Sequence, residues 1–175
     1  MRRSILGSSI LAAGFSIALW SSTPQAQEVA AECLPAVGTY LTKNNLPDAE
    51  AGPHQSRSLI SLTNGGHAFR DDSDQNAGED GGGFGDGRGV WRCDGRQGDR
   101  VSISATILNF AYPGPQQPEG RIARIDYDGT FDASDETLRL SGKLFFVPLG
   151  EDPYAMPVPG DAISVDTVGT KIRVP

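Results

Sequence analysis

The chain has 175 residues, with 22 acidic against 15 basic side chains and a formal charge of −7. A negative surface is repelled by phosphate backbones and anionic headgroups, so nucleic acid and acidic lipid are excluded as natural partners. Two histidines and two cysteines are too few for a zinc centre once the cysteines are oxidised.

Arg2 and Arg3 open the chain, an apolar run from Ile5 to Trp20 follows, and Ser21, Ser22 and Thr23 lead to Ala26. A basic start, a short apolar stretch and small residues predict a secretory signal peptide over 1–26 and a single domain over 27–175. The run is too short and too rich in Ser and Gly to span a bilayer, and no span is expected in the mature chain. Cys33 lies too far downstream for a lipoprotein. Loss of Arg2 and Arg3 takes the basic count from 15 to 13 against 22 acids, a balance of −9. The expected location is secreted or periplasmic. In an oxidising compartment, Cys33 and Cys93 read as a disulfide. A reactive thiol is the alternative, but no cysteine-protease signature surrounds either one.

Residues 28–35 read as a lead-in and 37–43 as the first strand, followed by a polar loop over 44–56. Residues 57–63 form a second strand, Asn64-Gly65 is a strong hairpin signal, and 66–71 return as the third. The stretch 72–89 is acidic and glycine-rich, buries too little apolar surface to order itself, and reads as a long flexible loop. Residues 90–94 are the fourth strand and 100–111 the fifth. Within the fifth, Val101, Ile103, Ala105 and Ile107 share one parity, and Leu108 and Phe110 switch it, which predicts a bulge.

The clearest pattern runs from Arg121 to Val147. Ala123, Ile125, Tyr127, Gly129 and Phe131 alternate with Arg124, Asp126, Asp128 and Thr130. After a turn at Ala133-Ser134-Asp135, Leu138, Leu140, Gly142, Leu144 and Phe146 alternate with Arg139, Ser141 and Lys143. Period-two alternation over adjoining runs predicts a long antiparallel hairpin with one dry face. Residues 163–165 and 171–174 are candidate terminal strands.

Eight or nine short strands and no helical period make the chain all-β. Sequential hairpins favour a small antiparallel up-and-down β-barrel of about eight strands, because closure removes exposed edges; a β-sandwich is the alternative.

Gly38-Thr39-Tyr40 is similar to the Gly-x-Trp motif of the calycins, the lipocalin-like barrel superfamily. Asp126-Tyr127 is similar to their Thr-Asp-Tyr, and Arg173 matches their closing arginine. The chain departs from the pattern in having Tyr40 for Trp and Ile125 for Thr, and in showing no helix before the last strand. The layout also resembles the allene-oxide-cyclase-type barrels, which are enzymes. Either resemblance implies a central pocket for a small apolar molecule.

Parity places Phe69, Trp91, Ile125, Tyr127, Phe131, Leu144 and Phe146 on the inner wall, as ligand contacts or as ordinary core. The small residues Ala105, Ala123, Gly129 and Gly142 on the same faces favour a cavity. His67, Asn109 and Tyr127 are polar residues on apolar parities. They are candidates for proton transfer in a barrel isomerase or cyclase, or for plain hydrogen bonding at the barrel ends. A Ser-His-Asp site would need His54 or His67, and no Gly-x-Ser-x-Gly elbow is present. Asp72, Asp74, Asn76 and Asp80 space oxygen ligands as a calcium loop does, but Ala77 and Gly83 replace the glycine and glutamate such a loop requires, and a solvated loop is the competing reading.

Three functions follow. The leading one is an exported barrel binding a small hydrophobic molecule, with no cofactor. The others are a barrel enzyme and a calcium-stabilised interaction module without a pocket. A cavity of a few hundred Å³ is the feature expected of the first.

Overall fold

The computed structural model describes residues 28–47, 54–73, 83–114, 118–155 and 162–173. The expected signal peptide lies outside them. Eight strands follow in chain order: β1 (Gly38–Leu46), β2 (His54–Leu62), β3 (His67–Asp72), β4 (Gly87–Gln97), β5 (Arg100–Ala111), β6 (Arg121–Asp132), β7 (Thr137–Pro148) and β8 (Ile163–Lys171). Each pairs antiparallel with the next, and β1 pairs with β8 from Tyr40↔Lys171 to Asn45↔Asp166, so the sheet closes into an up-and-down barrel. The sandwich alternative is set aside.

The expected hairpin is present in full, with β6 and β7 in continuous register from Asp132↔Thr137 to Arg121↔Pro148. Four strand assignments change. Both β1 and β2 extend into the expected 44–56 loop, and β4 begins at Gly87 rather than Val90. One terminal strand, β8, runs from the first expected fragment only as far as Lys171, the start of the second. The register break lies in β4 between Cys93 and Gly95, while β5 runs unbroken against β6.

The two ends of the barrel differ. Tight turns join strands at one end: Gly66 N–H donates to the Thr63 carbonyl at 3.1 Å, with Gly66 at φ 73°, and Gly98 sits at φ 62°. Positive φ is where glycine costs least, which is why these turns carry it. A 3₁₀ helix over Ala31–Ala36 crosses this end. The disulfide Cys33–Cys93 pins it to β4, and the Tyr40 hydroxyl donates to the Ala36 carbonyl at 2.6 Å. Trp91 Nε1 donates to the Thr63 carbonyl at 2.8 Å, tying β4 to the first tight turn. Lys171 Nζ donates to the Pro35 carbonyl at 2.9 Å and lies 5.5 Å from the Phe131 ring. Lys171, not Arg173, is therefore the cation set against the closed-end aromatics. Arg173 lies beyond β8 and pairs outside with Glu136 at 2.6 Å.

All the longer connections gather at the other end. There Phe84 bridges Ala111, and its ring lies 6.2 Å from that of Phe146. The segment after β7 folds back over the outer wall. Pro153 O accepts a hydrogen bond from Arg124 Nη1 at 2.7 Å, and Tyr154 lies under the same guanidinium. Val147 and Arg124 are buried as a result, although both have outward parity.

The rest of the outer wall is mixed. Ser104 Oγ lies within hydrogen-bonding reach of the Asp94 and Asp128 carboxylates, and Ser141 donates to Asp166 at 2.9 Å, while Leu41, Leu59 and Val168 are exposed on β1, β2 and β8. Among the described residues no helix is long and apolar enough to cross a membrane.

Candidate functional site

The interior divides into two parts. Toward the closed end it is a packed apolar core around Tyr40, Ile60, Val101, Phe131 and Leu138. The Tyr40 and Phe131 rings meet edge to face at 5.7 Å. Toward the open end lies a cavity of about 90 Å³, walled by Leu46, Phe84, Ala123, Ile125 and Leu144. Ser56, Arg70, Asp72 and Asn109 supply its polar groups.

A closed ring of hydrogen bonds separates the two. Arg70 Nη1 donates to the Tyr127 hydroxyl at 2.6 Å, linking β3 to β6 across the lumen. The Tyr127 hydroxyl meets Thr167 Oγ1 at 3.4 Å, and Thr167 donates to Asn44 Oδ1 at 2.9 Å. Asn44 Nδ2 donates to Ser58 Oγ at 2.5 Å and to Ser56 Oγ at 3.1 Å. Ser58 Oγ in turn donates to Asp72 Oδ1. Arg70 closes the ring with Nε and Nη2, each 2.8 Å from the same Asp72 oxygen.

Taking a guanidinium and a carboxylate out of water is costly unless each is paired and its remaining groups are bonded, and the ring meets both conditions. The site follows from parity. Arg70 and Asp72 share a face of β3 with Ala68, and Thr42 and Asn44 share a face of β1 with Tyr40, so these polar side chains point into the lumen. Burial pushes the Tyr127 hydroxyl above its ordinary pKa, with Arg70 pulling the other way, so the phenol stays protonated and neutral near pH 7.

The expected inner residues divide. Trp91, Ile125, Tyr127, Phe131 and Leu144 are buried as expected. Of these, Ile125 and Leu144 face the cavity, Tyr127 belongs to the ring, and Phe131 and Trp91 fill the closed half. Phe146 is half-buried at the mouth beside Phe84.

Phe69 is a correction. It lies on the outer wall beneath Arg88, whose guanidinium carbon is 4.9 Å from the ring. His67 shares that outer parity and is exposed, so His67, Asn109 and Tyr127 do not converge on one pocket. Nothing in the geometry supports that trio as a catalytic set. The side chain of His54 lies outside the described residues.

The expected space over Gly129 and Gly142 is filled. A methyl group on Gly142 would sit 2.6 Å from the Tyr127 ring, and one on Gly129 would meet the Arg139 carbonyl oxygen at 2.0 Å. These glycines admit a neighbouring ring and a neighbouring strand rather than a guest.

Asp72 is likewise not in a loop. It ends β3 inside the barrel as the partner of Arg70, while Asp74, Asn76 and Asp80, the other expected calcium ligands, lie outside the described residues. No grouping of three or more metal-ligating side chains occurs among the described residues.

Sequence reasoning missed Arg70, Asn44 and Thr167. The available signal was parity with buried neighbours, which outranks residue type. A shallow furrow of about 260 Å³ also runs over β4, β5 and β6, but exposed Val90, Arg92 and Asp128 line it, and it belongs to the solvated outer wall.

No protein-family model, curated protein or solved structure matches the chain.

Proposed function

We propose that this chain is an exported, calycin-like barrel that holds a small, mainly apolar molecule in its open mouth, above the polar ring. One observation carries the reading: a cavity with apolar walls from β1, β6, β7 and Phe84 and a few convergent polar groups, at the end where the long connections gather. That is the usual composition of a small-molecule site. The disulfide fits an oxidising compartment, and the closed eight-stranded meander fits the calycin layout.

The volume of about 90 Å³ limits the guest. It is below the few hundred Å³ expected, and below the ~150 Å³ of an engineered cavity that holds benzene. A guest seated wholly inside has a handful of non-hydrogen atoms. With a ceiling of about 1.5 kcal/mol per atom, five atoms give at best a micromolar dissociation constant.

Native mass spectrometry of protein purified from its own host tests this. The expected spectrum contains an adduct of low mass, absent when Ala123→Trp fills the cavity. A wild-type spectrum showing only the bare oxidised chain, under conditions that retain an added xenon or alkane standard, removes the reading.

A further inference from the structure

We infer that the mouth cavity selects a neutral guest whose polar end donates hydrogen bonds, such as a primary alcohol or primary amide on a short apolar body, and discriminates against carboxylates. The inference rests on the ligand-binding reading above and adds the chemistry of the guest's head.

One residue lining the cavity carries an acceptor without a partner. Asn109 is 3% exposed, and its Oδ1 is buried without a hydrogen-bond partner. Its Nδ2 is engaged, donating to the Gly85 carbonyl at 3.2 Å. A buried unpaired acceptor is costly, and native structures rarely leave one without a reason. Asp72 is spent on its own partners: its Oδ1 receives Ser58 and two Arg70 nitrogens.

The strongest donor is already engaged. Arg70 gives Nε and Nη2 to Asp72 and Nη1 to Tyr127. A carboxylate entering the mouth would meet the oxygens of Asn109 and Asp72 and a guanidinium already neutralised by its own carboxylate. It would shed its hydration for like-charged company. An ammonium would shed its hydration for one neutral amide oxygen beside an ion pair that already balances its own charge. A hydroxyl or amide N–H brings a donor with no net charge, and its alkyl portion matches Ile125, Leu144 and Ala123 on the wall.

The test compares probes of nearly equal size by titrating the methyl resonances of Ile125 and Leu144 at pH 7. The probes are 1-butanol, butanamide, diethyl ether, butanoate and butylammonium, with xenon as an apolar gauge of the cavity itself. Butanol and butanamide are expected to bind at least about tenfold more tightly than diethyl ether, which accepts but cannot donate. Butanoate and butylammonium are expected to bind more weakly than either. Asn109→Leu should abolish the preference for alcohol over ether while xenon still shifts both residues.

Equal affinity for ether and alcohol, or tightest binding by either ion, overturns the donor assignment and leaves the pocket standing. Failure of every probe, xenon included, to move Ile125 or Leu144 overturns the pocket reading and the donor assignment together. The wild-type comparison decides the matter even if the variant fails to fold.

Discussion

Tyr40 and Tyr127 are sealed inside the barrel, and burial raises the pKa of both phenols above the ordinary value of 10.0. Glu136 pushes Tyr40 further in the same direction. Because the folded values exceed the unfolded ones, the stability linked to these groups is complete below pH 10 and is lost as pH rises from there through the folded values. The unfolded chain ionises first and is favoured. A phenol protonated in the fold and ionised in the unfolded chain contributes a slope of at most about 1.4 kcal/mol per pH unit. Urea unfolding measured from pH 8 to 11.5 should be flat to about pH 9.5 and then fall. Tyr40→Phe should make that fall shallower whatever it does to the plateau, and an unchanged slope in that variant would show that Tyr40 is not the group responsible. The residue scale is also where the sequence misled most. Size suggests that Phe69 faces inward, yet Ala68 and Arg70 do, with Arg70 bonded to Tyr127 across the lumen. Parity could have placed Arg70, Asn44 and Thr167 inside, but each is tolerable there only through a partner on another strand, and a linear sequence does not display such partners.

At the scale of elements, legibility tracks how dry a strand's inner face is. The inner faces of β6 and β7 are almost wholly apolar, and their boundaries were readable from alternation alone. By contrast, β8 carries Thr167, Gly169 and Lys171 inward, which broke its pattern into two fragments. The start of β4 was hidden by Gly87 and Gly89, where an added methyl would meet Asn109 at 2.6 Å and the Thr106 carbonyl at 1.9 Å. The parity switch near the end of β5 is not a bulge: β5 keeps its register against β6, Leu108 is half-buried and Phe110 lies exposed on the outer wall. The 3₁₀ helix depends on the disulfide more than on its own propensity, since short 3₁₀ segments are weakly stable alone. Cys33 and Cys93 are 60 residues apart, a separation for which chain entropy assigns about 4 kcal/mol. The double variant Cys33→Ala/Cys93→Ala should therefore lose about 2–4 kcal/mol in denaturant unfolding. Its amides from Ala31 to Tyr40 should also exchange faster than those of β6. A double variant within 0.5 kcal/mol of wild type would mean that the helix is held by Tyr40 and Lys171 alone.

At the scale of the molecule, the seam between β1 and β8 decides whether this is a barrel or a curled sheet. Its register spans Tyr40↔Lys171 to Asn45↔Asp166, and two side-chain links tie β8 down beside it, Thr167 to Asn44 across the seam and Lys171 to Pro35 of the 3₁₀ helix. A sheet with free edges opens from those edges, so its terminal strands exchange their amides through local fraying. A closed barrel has no edge to fray, and the polar ring adds a cost to partial opening. Lifting β8 away would take Thr167 from Asn44 Oδ1, and lifting β3 would separate Arg70 from Tyr127 and Asp72 from Ser58. The seam should therefore open only when the whole structure does. In native-state hydrogen exchange, the slowest hydrogen-bonded amides of β1 and β8 should report opening free energies within about 1 kcal/mol of those of β6 and β7, and should fall in parallel with them as urea is added. Opening of β1 and β8 at energies several kcal/mol lower, with no urea dependence, would mark the seam as a weak edge. The mouth cavity would then be a cleft able to widen rather than a pocket of fixed size, and the limit of a few atoms placed on its guest would no longer hold.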